Sequence, residues 1–92
     1  MTFIIHTRGF DLENNLQVFV ETCLRMLLRQ PRKISEVRVT MGEGEINCGK
    51  GKFCQLHLVS GENSYSVIQY GNSYEEAVLC SVKELDIKMH RN

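Results

Sequence analysis

The chain opens with Thr2-Phe3-Ile4-Ile5-His6-Thr7, and Arg8-Gly9-Phe10-Asp11-Leu12 follows directly. The first of these segments is β-branched and apolar, which predicts a strand. Asp11 is a suitable N-cap residue and predicts that a helix begins beside it. A strand that leads into a helix predicts a right-handed crossover to a second, parallel strand. This beginning therefore favours a small α+β fold.

One amphipathic helix is predicted after this entry. Its apolar residues recur at helical spacing and form one broad stripe: Leu12, Leu16, Phe19, Val20, Cys23, Leu24, Leu27 and Leu28. Pro31 is predicted to end the helix, because the residue before a proline is pushed out of the α region.

Three strands are predicted next. The segment Ile34–Met41 alternates apolar and polar residues, and Lys52–Ser60 and Ser64–Tyr70 follow it as two further strands. The glycine-rich segment Gly42–Lys52 predicts a loop that joins the first two of these strands as a long hairpin. The turn Gly61-Glu62-Asn63 predicts a tight hairpin between the last two.

A second helix is predicted to close the chain. Ser73 and Glu76 have the spacing of a capping box, in which the serine caps the helix. The apolar residues that would face the sheet are Val78, Val82, Leu85 and Met89. The predicted fold is α+β with the order β-α-β-β-β-α: a four-stranded mixed sheet with two helices packed on one face. Arg38, Gln55 and His57 are candidates for its open face.

Length and composition restrict the function further. The 92 residues predict a single domain over positions 1–92, and 11 basic residues balance 11 acidic ones. A neutral balance argues against a nonspecific nucleic-acid coat. No apolar run could span a membrane, and no secretory signal opens the chain. The four cysteines are interpreted as reduced thiols of a cytoplasmic protein.

Catalytic and metal sites are not indicated. His6, His57 and His90 occur in unrelated contexts, so no nucleophile has a base and an orienting group. The pair Cys48 and Cys54 matches no common metal spacing. The segment Gly49–Lys52 lacks the phosphate-loop pattern and enters a strand, which favours a hairpin. No enzyme, cofactor, metal or small-molecule substrate is therefore expected.

Basic residues are the most suggestive feature. Arg25, Arg29 and Arg32 recur along one side of the first helix, and Lys33 adjoins them. In the second helix, Lys83, Lys88, His90 and Arg91 cluster towards the C-terminus. Arginine offers a planar fork of donors that suits phosphate oxygens. A solvated helix surface is the alternative explanation, and these residues alone do not decide between the two.

The order and spacing of several segments resemble a known family, the short ribosome hibernation-promoting factors, also called protein Y or the sigma-54 modulation family. The segments are Arg8 through Leu12, Leu16-x2-Phe19-Val20, Lys33-Ile34-x2-Val37-x-Val39, and Gly71 with Ala77-Val78-x3-Val82-x2-Leu85. The likeness extends over nearly the whole chain.

This resemblance implies a fold akin to double-stranded RNA-binding domains. It implies a ribosome-associated factor that binds rRNA in the decoding region of the small ribosomal subunit and inhibits translation under stress or in stationary phase. Because the chain ends at Asn92, a short form without the second domain of the long members is expected. The candidate RNA-binding residues are Arg8, Arg25, Arg29, Arg32, Lys33, Lys83, Lys88 and Arg91.

A second class of function stays open. A divergent member could keep the fold, lose RNA binding and act as a protein–protein interaction module. Glu84 and Ile87 stand where the family usually carries basic residues, and the net charge is zero. Both observations favour this alternative, whereas the arginines of the first helix favour RNA.

Overall fold

The computed structural model of the protein describes residues 2–27, 34–46 and 49–90. Within these residues, strands and helices follow the predicted order. The elements are β1 (Thr2–Thr7), α1 (Asn14–Leu27), β2 (Glu36–Ile46), β3 (Gly49–Ser60), β4 (Asn63–Gly71) and α2 (Tyr74–Met89).

The strands form one sheet in the order β1-β2-β3-β4. β1 pairs parallel to β2, with Thr2 opposite Glu36 and Thr7 opposite Met41. The other neighbours pair antiparallel. A helical crossover between parallel strands, followed by an antiparallel meander, confirms the predicted α+β fold.

The core lies between one face of the sheet and the two helices. Alternate residues of the central strands point into it because successive side chains in a strand point to opposite faces. The fully buried side chains include Val37, Val39 and Met41 of β2, Leu56 and Leu58 of β3, Val20 and Leu24 of α1, and Val78, Leu85 and Met89 of α2. Burying each such side chain stabilises the fold by about 1.5–3 kcal/mol.

The two helices run in the same direction. Each follows a strand that points the same way as β1 and then crosses back over the sheet. Phe10 lies four residues before the start of α1, Tyr74 opens α2, and their rings stack with centroids 4.4 Å apart. We call this side of the molecule the helix N-terminal end. The side where Leu27 and Met89 lie is the helix C-terminal end.

α2 approaches the sheet closely. The hydroxyl of Ser81, which is fully buried, donates a hydrogen bond of 2.7 Å to the carbonyl oxygen of Cys54 in β3. A Cβ atom added at Gly71 would lie 2.9 Å from the backbone nitrogen of Ala77. At Ser73 the predicted cap is confirmed, since its side chain accepts a hydrogen bond from the backbone N–H of Glu76.

The predicted start of α1 at Asp11 is wrong. The helix begins at Asn14 because the preceding residues form a turn. Gly9 adopts a φ of +82°, and the hydroxyl of Thr7 donates a hydrogen bond of 2.9 Å to the carbonyl of Phe10. This turn holds the Phe10 ring against α2, so the first helical residue is Asn14 instead of Leu12, which a cap at Asp11 would require.

The predicted long hairpin over Gly42–Lys52 is confirmed, but the prediction that this segment is a loop is wrong, because its described residues belong to strands. β2 and β3 remain paired as far as Ile46 opposite Gly49, and Glu43 lies opposite Lys52. Gly44 and Gly51 are partners with φ of +144° and +111°, values that suit a residue without a Cβ. The glycines here extend the hairpin instead of interrupting it. Residues 47 and 48, at its tip, lie outside the described ranges.

The cysteines occupy different depths. Cys54 is fully buried, whereas Cys23 and Cys80 are only half-buried, and all three are free thiols. Cys48 lies outside the described residues, as do Leu28 and Pro31 at the predicted end of the first helix. Neither described helix is long and apolar enough to cross a membrane.

Candidate nucleic-acid interface

Basic residues of both helices lie at the helix C-terminal end. Arg25 lies in the last described turn of α1, and Lys88 lies in the last turn of α2. Both side chains are exposed. Because the helices are parallel and pack against each other, residues distant in sequence share this end of the molecule.

The described lysines of α2 point in different directions. Lys88 extends to β4, where its ammonium donates a hydrogen bond of 2.9 Å to the carbonyl of Ser66. Lys83 is exposed and lies five residues earlier, about 140° away around the helix axis. Arg25, Lys83 and Lys88 thus lie on different sides of the C-terminal halves of the helices instead of forming one straight row.

Two acidic residues of α2 near these lysines have partners of their own. The Oδ1 atom of Asp86 lies 3.2 Å from the Nδ1 atom of His90. Glu84 accepts a hydrogen bond of 2.7 Å from the side-chain amide of Gln69 in β4. Asp86 is therefore offset by His90 only when that histidine is protonated, while Glu84 is fixed beside the sheet.

Arg8 lies at the opposite end of the molecule. Its backbone N–H donates a hydrogen bond of 2.8 Å to the carbonyl of Met41, just beyond the end of β1. A Cβ atom added at Gly42 would lie 3.2 Å from the Cβ of Arg8. The length of α1, about 20 Å by the helical rise, separates Arg8 from Arg25. The structure thus does not bring Arg8 together with the other described candidates.

The remaining candidates lie outside the described residues. They are Arg29, Arg32, Lys33 and Arg91. Their participation in a site stays a prediction from the sequence.

Part of the open face of the sheet is polar, and the predicted candidates Arg38, Gln55 and His57 lie together there. A shallow depression of about 310 Å³ is lined by Arg38, Thr40, Gln55, His57 and Ser66. The Nδ1 atom of His57 lies 2.7 Å from the hydroxyl oxygen of Ser66, and Arg38 lies 3.5 Å from Glu36. The same alternation that identified Arg38, Gln55 and His57 also places Thr40 and Ser66 on this face, although sequence reasoning did not name them.

An acidic groove lies at the helix N-terminal end. It encloses about 550 Å³ and includes the stacked rings of Phe10 and Tyr74 with the carboxylates of Asp11, Glu13 and Glu75. Burial and, less strongly, the charge of Glu43 raise the pKa of Tyr74. This groove is unsuited to phosphate. Sequence reasoning missed it, because Phe10 and Tyr74 are far apart in the chain.

The described residues do not assemble a metal site. No group of three or more histidine, cysteine, aspartate or glutamate side chains within residues 2–27, 34–46 and 49–90 is placed to hold an ion. His6, His57 and His90 lie on three different elements or their ends, as the sequence indicated.

Comparison with solved structures identifies the fold. The chain superposes on the N-terminal domain of protein Y from Thermus thermophilus with a TM-score of 0.82 and 17% identity, over 99% of this chain and 98% of that one. It also superposes on a ribosomal subunit interface protein from Coxiella burnetii with a TM-score of 0.78 and 15% identity, over 96% and 92% of the two chains.

Comparisons of sequence alone add nothing to this. No family model matches the chain, and no curated protein matches it. The likeness therefore resides in three-dimensional structure, where it spans essentially the whole of both molecules. The resemblance inferred from the sequence is confirmed at the level of the fold: this chain has the fold of the protein Y N-terminal domain.

Proposed function

We propose that this protein is a ribosome-associated factor that binds rRNA in the decoding region of the small ribosomal subunit and inhibits translation under stress or in stationary phase. The observation that carries the proposal is the near-complete overlap with two solved structures, one of a protein Y domain and one of a ribosomal subunit interface protein. The role is non-enzymatic and cytoplasmic, and it uses no cofactor or small-molecule substrate.

The arrangement of charge supports this role. Arg25 and Lys88 gather at the helix C-terminal end, while Asp11, Glu13 and Glu75 lie at the other. A net charge of zero therefore does not exclude an end that suits a polyanion. Structured RNA can be recognised through shape and phosphate contacts without reading of bases, so exposed cations on a rigid fold are sufficient.

The proposed RNA contacts fall into two groups. One group consists of Arg25, Lys83 and Lys88 in the C-terminal halves of the helices. Arg29, Arg32, Lys33 and Arg91 are proposed as contacts from the sequence alone. Arg8 forms a separate contact beyond the end of β1. Each exposed ion pair contributes little alone, and the affinity is the sum of many such contacts.

Co-sedimentation with purified small ribosomal subunits tests the proposal. We expect the wild-type protein to pellet with the subunits at low salt and to be released as salt rises. The variant Arg25→Glu should bind more weakly, because it places a negative charge among phosphates. Arg38→Glu is the matched control, since it makes the same charge reversal on the open sheet face.

RNA binding and the protein-interaction module predict different results in this experiment. Weaker pelleting of Arg25→Glu than of Arg38→Glu, with both variants folded by circular dichroism, supports RNA binding through the helices. Absence of wild-type pelleting at low salt contradicts the ribosome proposal. Capture of a protein partner by such a non-pelleting chain would identify the interaction module instead.

A further inference from the structure

The outer edge of β4 is unusual for an exposed strand. Among the described strands, β4 has β3 as its only neighbour, and it extends over nine residues, Asn63–Gly71. None of these residues is charged, and none is proline. Exposed edge strands usually carry lysine, proline or a bulge, because an unprotected edge pairs with another strand.

The hydrogen-bonding groups of this edge can be assigned. In each strand, successive residues point their backbone N–H and C=O groups alternately to one neighbouring strand and to the other. The N–H of Thr2 donates a hydrogen bond to the carbonyl of Ser35, which shows which residues of β2 face β1. Followed through the strand pairs to β4, this alternation directs the backbone groups of Ser64, Ser66 and Ile68 away from β3. Consistent with this, the carbonyl of Ser66 accepts a hydrogen bond from Lys88. An extended chain is the partner that such a row of donors and acceptors fits.

The flank of α2 beside this edge is self-complementary. Lys88 reaches residue 66 of β4, while Glu84, one turn earlier, reaches residue 69. Ile87 lies between them in sequence, about 60° around the helix axis from Glu84 on the side away from Lys88, and its side chain is 62% exposed. An acid and a base thus follow one another along the outer edge of the molecule, with an exposed apolar residue above them.

We propose that β4 pairs antiparallel with β4 of a second copy of this chain, joining two sheets into one of eight strands. A two-fold axis beside Val67 brings each Ser66 opposite the Ile68 of the partner subunit. Val67 lies between the positions that Lys88 and Glu84 reach, so the axis also passes beside the α2 turn that contains Ile87.

The two-fold axis makes the helix flanks complementary. It reverses the order of charges, so Glu84 of one copy comes level with the partner's Lys88. Ile87 approaches its own copy across the axis and loses its exposure to water. Lys88 exchanges its bond to the Ser66 carbonyl for the partner's carboxylate, and the freed carbonyl joins the strand ladder. This pairing does not rest on ribosome binding.

Sedimentation equilibrium of the full chain tests the proposal. We expect a concentration-dependent monomer–dimer equilibrium for the wild type. Ile87→Lys should raise the dissociation constant at least about tenfold, because it places two like charges at the axis. Leu79→Lys is the matched control: Leu79 is 46% exposed on the same helix, but it lies on the side opposite Lys88.

Exchanging the charges of Glu84 and Lys88 gives a second test, because a variant that merely folds poorly would not be restored by the second substitution. Glu84→Lys and Lys88→Glu should each weaken the dimer, and the double variant should restore it. A wild type that stays monomeric up to about 1 mM overturns the proposal. Equal weakening by Ile87→Lys and Leu79→Lys overturns it as well, and so does a double variant that dimerises no better than the single ones.

Discussion

The ring of Phe10 stacks on the ring of Tyr74, with centroids 4.4 Å apart and an angle of 19° between the planes. Phe10 belongs to the turn before α1, and Tyr74 is the first residue of α2. This contact joins the starts of both helices. Lys52 of β3 adds a cation 5.3 Å from the centre of the Tyr74 ring.

The stack should stabilise the fold beyond simple burial. We expect Phe10→Ala to lower the free energy of unfolding by about 1–3 kcal/mol, because both rings are half-buried and lose their mutual contact. Urea denaturation measures this. In a double-mutant cycle with Tyr74→Ala, the coupling should be about 0.5–1.5 kcal/mol. Strictly additive effects would show that the rings do not interact.

Gly71 should not tolerate a side chain. Its added Cβ would lie 2.9 Å from the backbone nitrogen of Ala77, so Gly71→Ala must displace α2. We expect a loss of about 1–3 kcal/mol in thermal or urea unfolding. At Gly42 the equivalent atom meets the ring of Phe53, also at 2.9 Å, and a ring moves more easily than backbone. A larger loss for Gly42→Ala than for Gly71→Ala would contradict this explanation.

Ser81 should be important for its size as well as its hydroxyl. Ser81→Ala removes the hydrogen bond to Cys54 and should reduce stability by about 0.5–1.5 kcal/mol. Ser81→Val should be worse than Ser81→Ala, because two methyl groups must fit where α2 touches β3. Chemical denaturation of the two variants compares these effects. Equal stabilities would show that the helix has room to adjust.

Stability should fall at high pH because of Cys54. Burial raises the pKa of this thiol to about 12, against a smaller lowering by a hydrogen bond with Ser81. The raised pKa means that the folded state keeps a proton that the unfolded chain loses. The contribution is therefore complete below about pH 9 and is lost as pH rises towards 12.

Unfolding measured across this range gives the test. Cys54→Ala should have a shallower decline than the wild type, by up to about 1.4 kcal/mol per pH unit. Cys23, whose thiol pKa burial also raises, remains in both proteins and cancels from the comparison. Parallel pH profiles of the wild type and Cys54→Ala would contradict a role for Cys54.

Salt dependence should distinguish phosphate contacts from other exposed cations. Each contact to a phosphate adds about −0.7 to −0.9 to the slope of log K against log salt. Arg25→Gln should therefore reduce the magnitude of the slope by about one contact, and Arg8→Gln should do the same if its separate contact forms. Arg38→Gln should leave the slope unchanged. If Arg25→Gln leaves the slope of log K against log salt unchanged, Arg25 does not contact a phosphate.

The elements that sequence reasoning predicted well are those with local signals. The bounds of β1 agree with its β-branched segment, and the capping box at Ser73 and Glu76 marks the start of α2. Alternation placed Arg38 and His57 on the open face. In each case neighbouring residues contain the information.

The predictions that failed depended on distant partners. Asp11 offered a good cap, but Phe10 packs on Tyr74 and delays the helix. The glycines after Met41 suggested a loop, but their partners on β3 extend the ladder. The candidate site shows the same limit: the separation of Arg8 from Arg25 follows from strand direction, which no stretch of basic residues reveals.

The parallel course of α1 and α2 has an electrical consequence. The peptide dipoles of both helices add, with their positive ends beside Asp11 and Glu75 and their negative ends beside Arg25 and Lys88. Each of these side chains has the opposite sign to the partial charge beside it, so it stabilises the helix end that it adjoins. Two parallel helices do not cancel each other's dipoles as an antiparallel pair would, so this fold depends on such side chains to offset two like partial charges at each end.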